Sequence, residues 1–323
     1  MRTPLPAVII ACILFVGCSA ESEVPRSDSA TAPAEEASLA QTIFGDEITA
    51  ERGGLIPEGV EYDTTNRRIL IGSLTEGSVF QLHADGRVTA VVTDPDLISS
   101  VGIEVDELRD RLLVANSDRS VFEGETAGQA KLGVYDLTSG ERIAMVDRAA
   151  AIESPQGETA FFANDVAIGD DGTVYVTDTR MNLIYRVDSD YTASVLHQFQ
   201  DDGAGPNGIV EHPSGYLLVA RGAELWKVPV TEPATAAAVT LPEEIPGQDG
   251  MVWTAGRLAI VSNSGNRVVA LTSADDWMTA DLAGVAPYET QATTAAVIDD
   301  DVYVVHPHFA DADPPSVARV VFE

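Results

Sequence analysis

One short pattern recurs six times in this chain. Its spacing, the strands that follow each copy and the apolar segments near both ends predict an all-β fold, a six-bladed β-propeller with about four antiparallel strands per blade. The copies begin at Glu58-Gly59-Val60, Val101-Gly102-Ile103, Asn164-Asp165-Val166, Asn207-Gly208-Ile209, Asp249-Gly250-Met251 and Thr294-Ala295-Ala296. The intervals are 43, 63, 43, 42 and 45 residues. Each copy leads into a turn and a second strand, and several add a third. Leu39 to Glu47 and Ser316 to Phe322 read as strands that pair in one blade and close the ring, which removes an exposed edge.

In chain order, residues 1–17 read as a lipoprotein signal peptide. Arg2 is a short positive n-region, and Ala7 to Val16 is an apolar stretch too short to span a membrane. A small residue, Gly17, stands directly before Cys18. Cleavage there would leave Cys18 as a lipidated N-terminus; an ordinary signal peptide with an incidental cysteine is the alternative. Residues 18–40 read as the lipidated cysteine and a flexible linker rich in Ser, Ala, Glu and Pro. The expected location is the bacterial cell envelope, periplasm-facing or at the outer membrane, with the membrane touched only through the lipid. Cys12 would leave with the signal, so no internal disulfide is expected. The formal net charge of −32 argues against nucleic acid as a partner.

Residues 41–323 read as the propeller, expected to be a monomer. Its third copy shows how a blade begins. Val166 to Ile168 is a short apolar strand, Asp170-Asp171-Gly172 a hairpin turn, and Val174-Tyr175-Val176 the returning strand. The one long interval, 63, predicts an inserted loop beside this blade, around Arg119 to Ala130 and Ala149 to Phe161. Strand propensity does not call for the polar pair Asn164-Asp165 in front.

A propeller's innermost strands line a central channel, so the residues directly before them converge on the axis at one face. Glu58, Val101, Asn164, Asn207, Asp249 and Thr294 occupy those positions. Four of them carry oxygen donors of carboxylate or amide type, a set suited to one hard divalent cation, Ca²⁺ foremost, with Mg²⁺, Mn²⁺ or Zn²⁺ as further possibilities. No thiolate or histidine falls in the set, which counts against a structural zinc site. The competing reading is that Asn-Gly and Asp-Gly are common turn formers. The second strand returns to the same face. Asn116, Asp178, Arg180, Arg221, Asn263, His306 and His308 are therefore expected around the mouth, as substrate contacts, water handlers or plain solvated loop residues. His306 and His308 could move protons near neutral pH.

Four short motifs stand in blade order: Glu58 before the first inner strand, Asn164-Asp165, Asn207-Gly208 and Asp249-Gly250-Met251. With them the chain resembles, over Leu55 to Phe322, the gluconolactonase-like family that includes senescence marker protein (regucalcin) and the luciferin-regenerating enzyme. The resemblance implies one divalent cation on the axis, ligated by Glu58, Asn207 and Asp249, and hydrolysis of a lactone. It also implies Asp249 as general base, and Asn164 as a positioner of substrate or oxyanion or as a further ligand. Three departures stand out. Phe162 occupies a position where the family often has an arginine, the first motif continues Gly59-Val60-Glu61-Tyr62, and Gly247-Gln248 separates Pro246 from Asp249. Two functions follow as expectations: a metal-dependent lactone hydrolase, or a non-catalytic envelope-anchored propeller that binds a ligand or protein. Other propeller enzymes, of strictosidine-synthase or lyase type, are a third possibility.

Overall fold

Each inner strand turns apolar after a pair that contains a polar residue or a glycine, and this local rule builds every blade. In the computed structural model, residues 44–152, 159–200, 203–309 and 313–323 are described. Residues 1–40, which hold the expected signal peptide, Cys18 and the expected linker, lie outside them. Thr42–Glu323 forms one compact unit of six sheets arranged as a six-bladed propeller. Five sheets have four strands and one has five.

From axis to rim, the first blade runs Val60–Asp63, Arg68–Ile71, Ser78–Leu82 and Val88–Thr93. The second to fifth blades open with the inner strands Ser99–Asp106, Phe161–Ile168, Ile209–His212 and Gln248–Thr254. The sixth runs Ala295–Ile298, Asp301–His306 and Ser316–Arg319, and its outer strand is Glu47–Thr49 from the other end of the domain. Glu47 pairs with Ala318 and Thr49 with Ser316, antiparallel. Arg319 adds two hydrogen bonds to Asp46. The two ends thus pair in one blade, but the N-terminal strand is Glu47–Thr49 and meets the expected Leu39 to Glu47 only at Glu47; residues 39–43 lie outside the described residues.

Between blades lie six apolar layers rather than one central core. Val101, Leu113, Val166 and Val176 pack the second blade on the third. Leu70, Val79, Ile103 and Leu112 join the first to the second. Ile48, Ile69, Ala296 and Tyr303 join the first to the sixth. Each blade is buried on both faces, so its strands read as nearly continuous apolar runs instead of alternating ones.

The long interval contains more than a loop. Arg119–Glu123 forms a short 3₁₀ turn. Gly128–Gln129 then adds a fifth strand to the third blade, parallel to Phe161-Phe162. The third inner strand therefore starts at Phe161, earlier than the expected Val166.

Register also corrects the sixth copy. Asn207 donates its amide to Ala220 O and receives Ala220 N–H one residue on, at Gly208 O. Thr293 and Thr294 make the same pair of bonds with Val305. The sixth equivalent of Asn207 is therefore Thr293, one residue before the expected Thr294.

Candidate functional site

Three inner strands enter the sheet through a β-bulge. The register shifts between Ser100 and Ile103, between Ala163 and Val166, and between Gln248 and Met251. The pairs Val101-Gly102, Asn164-Asp165 and Asp249-Gly250 occupy those bulges. A bulge places two residues against one and re-aims the first side chain. Here it re-aims Asn164 and Asp249, while Glu58 and Asn207 stand at the equivalent place directly before their own strands.

The second residue of each pair is set by the neighbouring blade. A Cβ on Gly59 would stand 2.4 Å from Val101 O, on Gly102 2.5 Å from Asn164 O, and on Gly208 2.1 Å from Asp249 O. Glycine is needed at these three positions because blade backbones touch there. Asp165 takes the same place in the third blade, and its carboxylate accepts from Ile209 N–H of the fourth at 3.2 Å. These contacts hold the ring of polar residues at fixed spacing.

Three oxygens at this level are buried without a hydrogen-bond partner among the described residues: Asn164 Oδ1, Asn207 Oδ1 and Asp249 Oδ1. Such orphans cost free energy unless something satisfies them. Their orientation is fixed from behind. Asn164 Nδ2 donates to Thr179 Oγ1 at 2.8 Å, and Thr179 donates in turn to Pro206 O at 2.8 Å. Thr179 is thereby an acceptor toward Asn164, and the amide oxygen of Asn164 is left facing the axis. Asn263 Nδ2 donates to Asp249 Oδ2 at 3.0 Å and to Ala292 O at 2.9 Å.

Charge accumulates at the same place. Burial, followed by the nearby Asp165, pushes the Asp249 carboxyl up to about 8. Burial, then Asp249 and Asp165, raises Glu58 well above the usual carboxylate range. Asp165 is itself raised to about 7 by burial. Just beyond this ring the channel widens into a cavity of ≈ 270 Å³ lined by Glu61, Glu104, Asp165, Glu211, Met251 and Thr294, among others. Burial raises Glu61 to about 8, with Asp165 adding to the rise. Carboxyls crowded so closely favour protons or a cation over mutual charge. Among the described residues, no three His, Cys, Asp or Glu side chains converge as a metal-binding group. The orphan set here is two amides and one carboxylate, all hard oxygen donors that fit a cation of the Ca²⁺ or Mg²⁺ type.

The structure separates the residues expected at the mouth by strand parity. Asn116, Asp178, Arg221 and His306 are one residue past the bulge partner, and all are buried. Asp178 Oδ1 accepts the amides of Phe162, Arg180 and Met181, so its carboxylate holds a turn. Arg221 lies over Phe199 at 4.7 Å and over Trp226 at 5.8 Å, in an aromatic layer of the blade. His306 Nδ1 is 3.2 Å from Gln291 O, and burial lowers the affinity of its ring for a proton. Asn116 binds the 96–98 loop through Ile98 N–H and Asp96 O. One residue further, side chains turn to the axis: Ser117, Thr179 and Asn263. Ser117 and Thr179 were not singled out from sequence, and a small hydroxyl after an apolar strand gives little signal. Arg180 is exposed and His308 lies at the rim, where His308 adopts a positive φ.

No family model and no curated protein matches this chain. Solved structures of the same fold do. The major allergen Mala s 1 of Malassezia sympodialis is 17% identical, with a TM-score of 0.73 over 86% of this chain and 97% of that one. A luciferin-regenerating enzyme is 13% identical, with a TM-score of 0.60 over 85% and 94%. A candidate gluconolactonase is 15% identical, with a TM-score of 0.59 over 87% and 95%. The structural neighbours thus include the propellers named in the sequence resemblance. At these identities they share the fold.

Proposed function

We propose that this protein is a divalent-cation-dependent hydrolase acting on a lactone. The observation that carries the reading is the trio of buried, partnerless oxygens on Asn164, Asn207 and Asp249 at one level of the axis, beside Glu58. Glu58, Asn207 and Asp249 would hold the cation. Asn164 joins them as an oxygen ligand, because its amide nitrogen is already engaged by Thr179. Bound there, the cation would polarise the lactone carbonyl and lower the pKa of a water. Asp249 then takes the proton. Asn263 holds its Oδ2, which leaves Oδ1 turned to the site. The water oxygen bonds to the carbonyl carbon, the ring C–O bond breaks, and the ring oxygen leaves with the proton that Asp249 returns.

The test is a panel of sugar, alkyl and aryl lactones, each assayed with EDTA, Ca²⁺, Mg²⁺, Mn²⁺ and Zn²⁺. The expected result is hydrolysis that a divalent ion supports and EDTA removes. Asp249→Ala is expected to lower kcat at least about a hundredfold and to abolish cation binding in calorimetry. A wild-type protein that binds the cation yet leaves every lactone intact would favour the non-catalytic reading, a propeller that binds a ligand or protein at the cell envelope.

A further inference from the structure

At the strand ends on the Phe162 side of Asn164, the insertion builds an aromatic ledge. Phe122, in the 3₁₀ turn Arg119–Glu123, is 56% exposed. Its ring meets Phe162 edge to face at 4.7 Å. The guanidinium of Arg180 lies 5.7 Å from the Phe122 ring centre. Phe162 stands two residues before Asn164 on the same inner strand, and Arg180 directly follows Thr179, which orients Asn164. Three chain segments thus bring an aromatic ring and a cation to the rim of the polar ring.

The ledge is held in place. Asp118 caps the turn through Ser120 N–H at 3.0 Å and receives Thr126 Oγ1 at 3.2 Å. Val121 is buried beneath it. Gly128-Gln129 ties the segment to Phe161-Phe162 as a fifth strand. A rigid, exposed phenyl ring beside a guanidinium is a pre-organised surface for a flat apolar group bearing negative charge. On the same face, the sequence places exposed Ile98 and Phe309 in the loops at the rims of the second and sixth blades. Sugar hydroxyls would find few partners among these side chains.

We propose that Phe122 and Arg180 are specificity-determining residues that select a lactone with an aromatic or other flat apolar body and a carboxylate, not a sugar lactone. The apolar body rests on Phe122 and the carboxylate pairs with Arg180. This rests on the lactone-hydrolase reading for its substrate class, and binding is measured apart from turnover so that the two can fail separately.

The experiment compares a carboxylated dihydrocoumarin, uncharged dihydrocoumarin and glucono-δ-lactone as substrates. It also measures, by calorimetry on the full-length protein, binding of the ring-amide analogue of each. The expected order of binding and of kcat/KM is carboxylated aryl, then uncharged aryl, then sugar. Phe122→Ser should weaken both aryl ligands about threefold to tenfold and leave the sugar ligand unchanged. Arg180→Gln should weaken the carboxylated ligand alone, mainly through KM, and Arg180→Lys should restore only part of the loss. Thermal melts of each variant check that the blade is intact. If the aryl ligand binds in this pattern without being hydrolysed, the ledge stands and the hydrolase reading falls. If glucono-δ-lactone is the best ligand, or if neither substitution changes aryl binding, the ledge assignment is overturned.

Discussion

At the scale of single residues, the site depends on side chains that orient its oxygen donors without being donors themselves. Thr179 is the clearest. It accepts from Asn164 and donates to the next blade at Pro206, so it decides which end of the Asn164 amide faces inward. Thr179→Val keeps the shape and removes the acceptor. Cation affinity should then fall about tenfold to a hundredfold, the usual effect of losing a group that orients a ligand. Thr179→Ser should recover most of it. Calorimetry with Ca²⁺ reads the change, while a thermal melt should move little; unchanged affinity in Thr179→Val would remove Thr179 from the site. Glu58, Asn164, Asn207 and Asp249 were legible because blades repeat, and a repeated polar residue ahead of an apolar strand is a departure that propensity does not explain. Thr179 was not, since a hydroxyl there looks like any strand end. Parity was the other obstacle. Side chains alternate along a strand, and the position that returns to the mouth was read one residue early, at Asp178 and His306 instead of Thr179.

At the scale of the strand, the bulge is the device that converts sequence into a site. It re-aims one side chain and requires its neighbour to clear the next blade. Gly102 shows the constraint: a Cβ there would lie 2.5 Å from Asn164 O and 2.7 Å from the Asp165 Cα, with backbone on the other side of the contact. Gly102→Ala should therefore cost about 1–3 kcal/mol, as overpacking does, and shift the Asn164 strand outward. Urea unfolding measures the first effect, and Ca²⁺ affinity, expected to drop with it, the second. A variant as stable as the parent would show that the blades can separate at no cost. The glycines of the copies were visible in the sequence. Their reason was not, because the atoms they avoid belong to the next blade, between 41 and 63 residues on. The same blindness to register displaced the sixth copy by one residue, from Thr293 to Thr294, where two threonines in a row offer no internal mark.

At the scale of the whole molecule, ring closure and carboxyl crowding act on each other. The ends of the domain lock the sixth blade, and six apolar layers fix the channel width. Within that fixed width Glu58, Glu61, Glu104, Asp165 and Asp249 cannot spread apart. Asp165 is held up to about 7 by burial, and Glu61 and Asp249 to about 8 by burial first, with the nearby Asp165 adding to the rise. These groups bind protons more tightly folded than unfolded, where carboxyls titrate near 4. Their stabilisation is full below that pH and is lost as pH rises through about 7 and 8. Histidines such as His306, lowered by burial, pull the other way, but only below about pH 6.5. The clean window therefore runs from roughly pH 6.5 to pH 8.5. Across it the cation-free protein should melt at progressively lower temperature, and saturating Ca²⁺ should raise the melting temperature more at the alkaline end, since the cation takes the place of the departing protons. Differential scanning calorimetry with EDTA and with Ca²⁺ at each pH decides the matter. A cation-free melting temperature that stays level or climbs from pH 6.5 to 8.5 would mean that the channel relieves its charge by some route other than proton or cation binding.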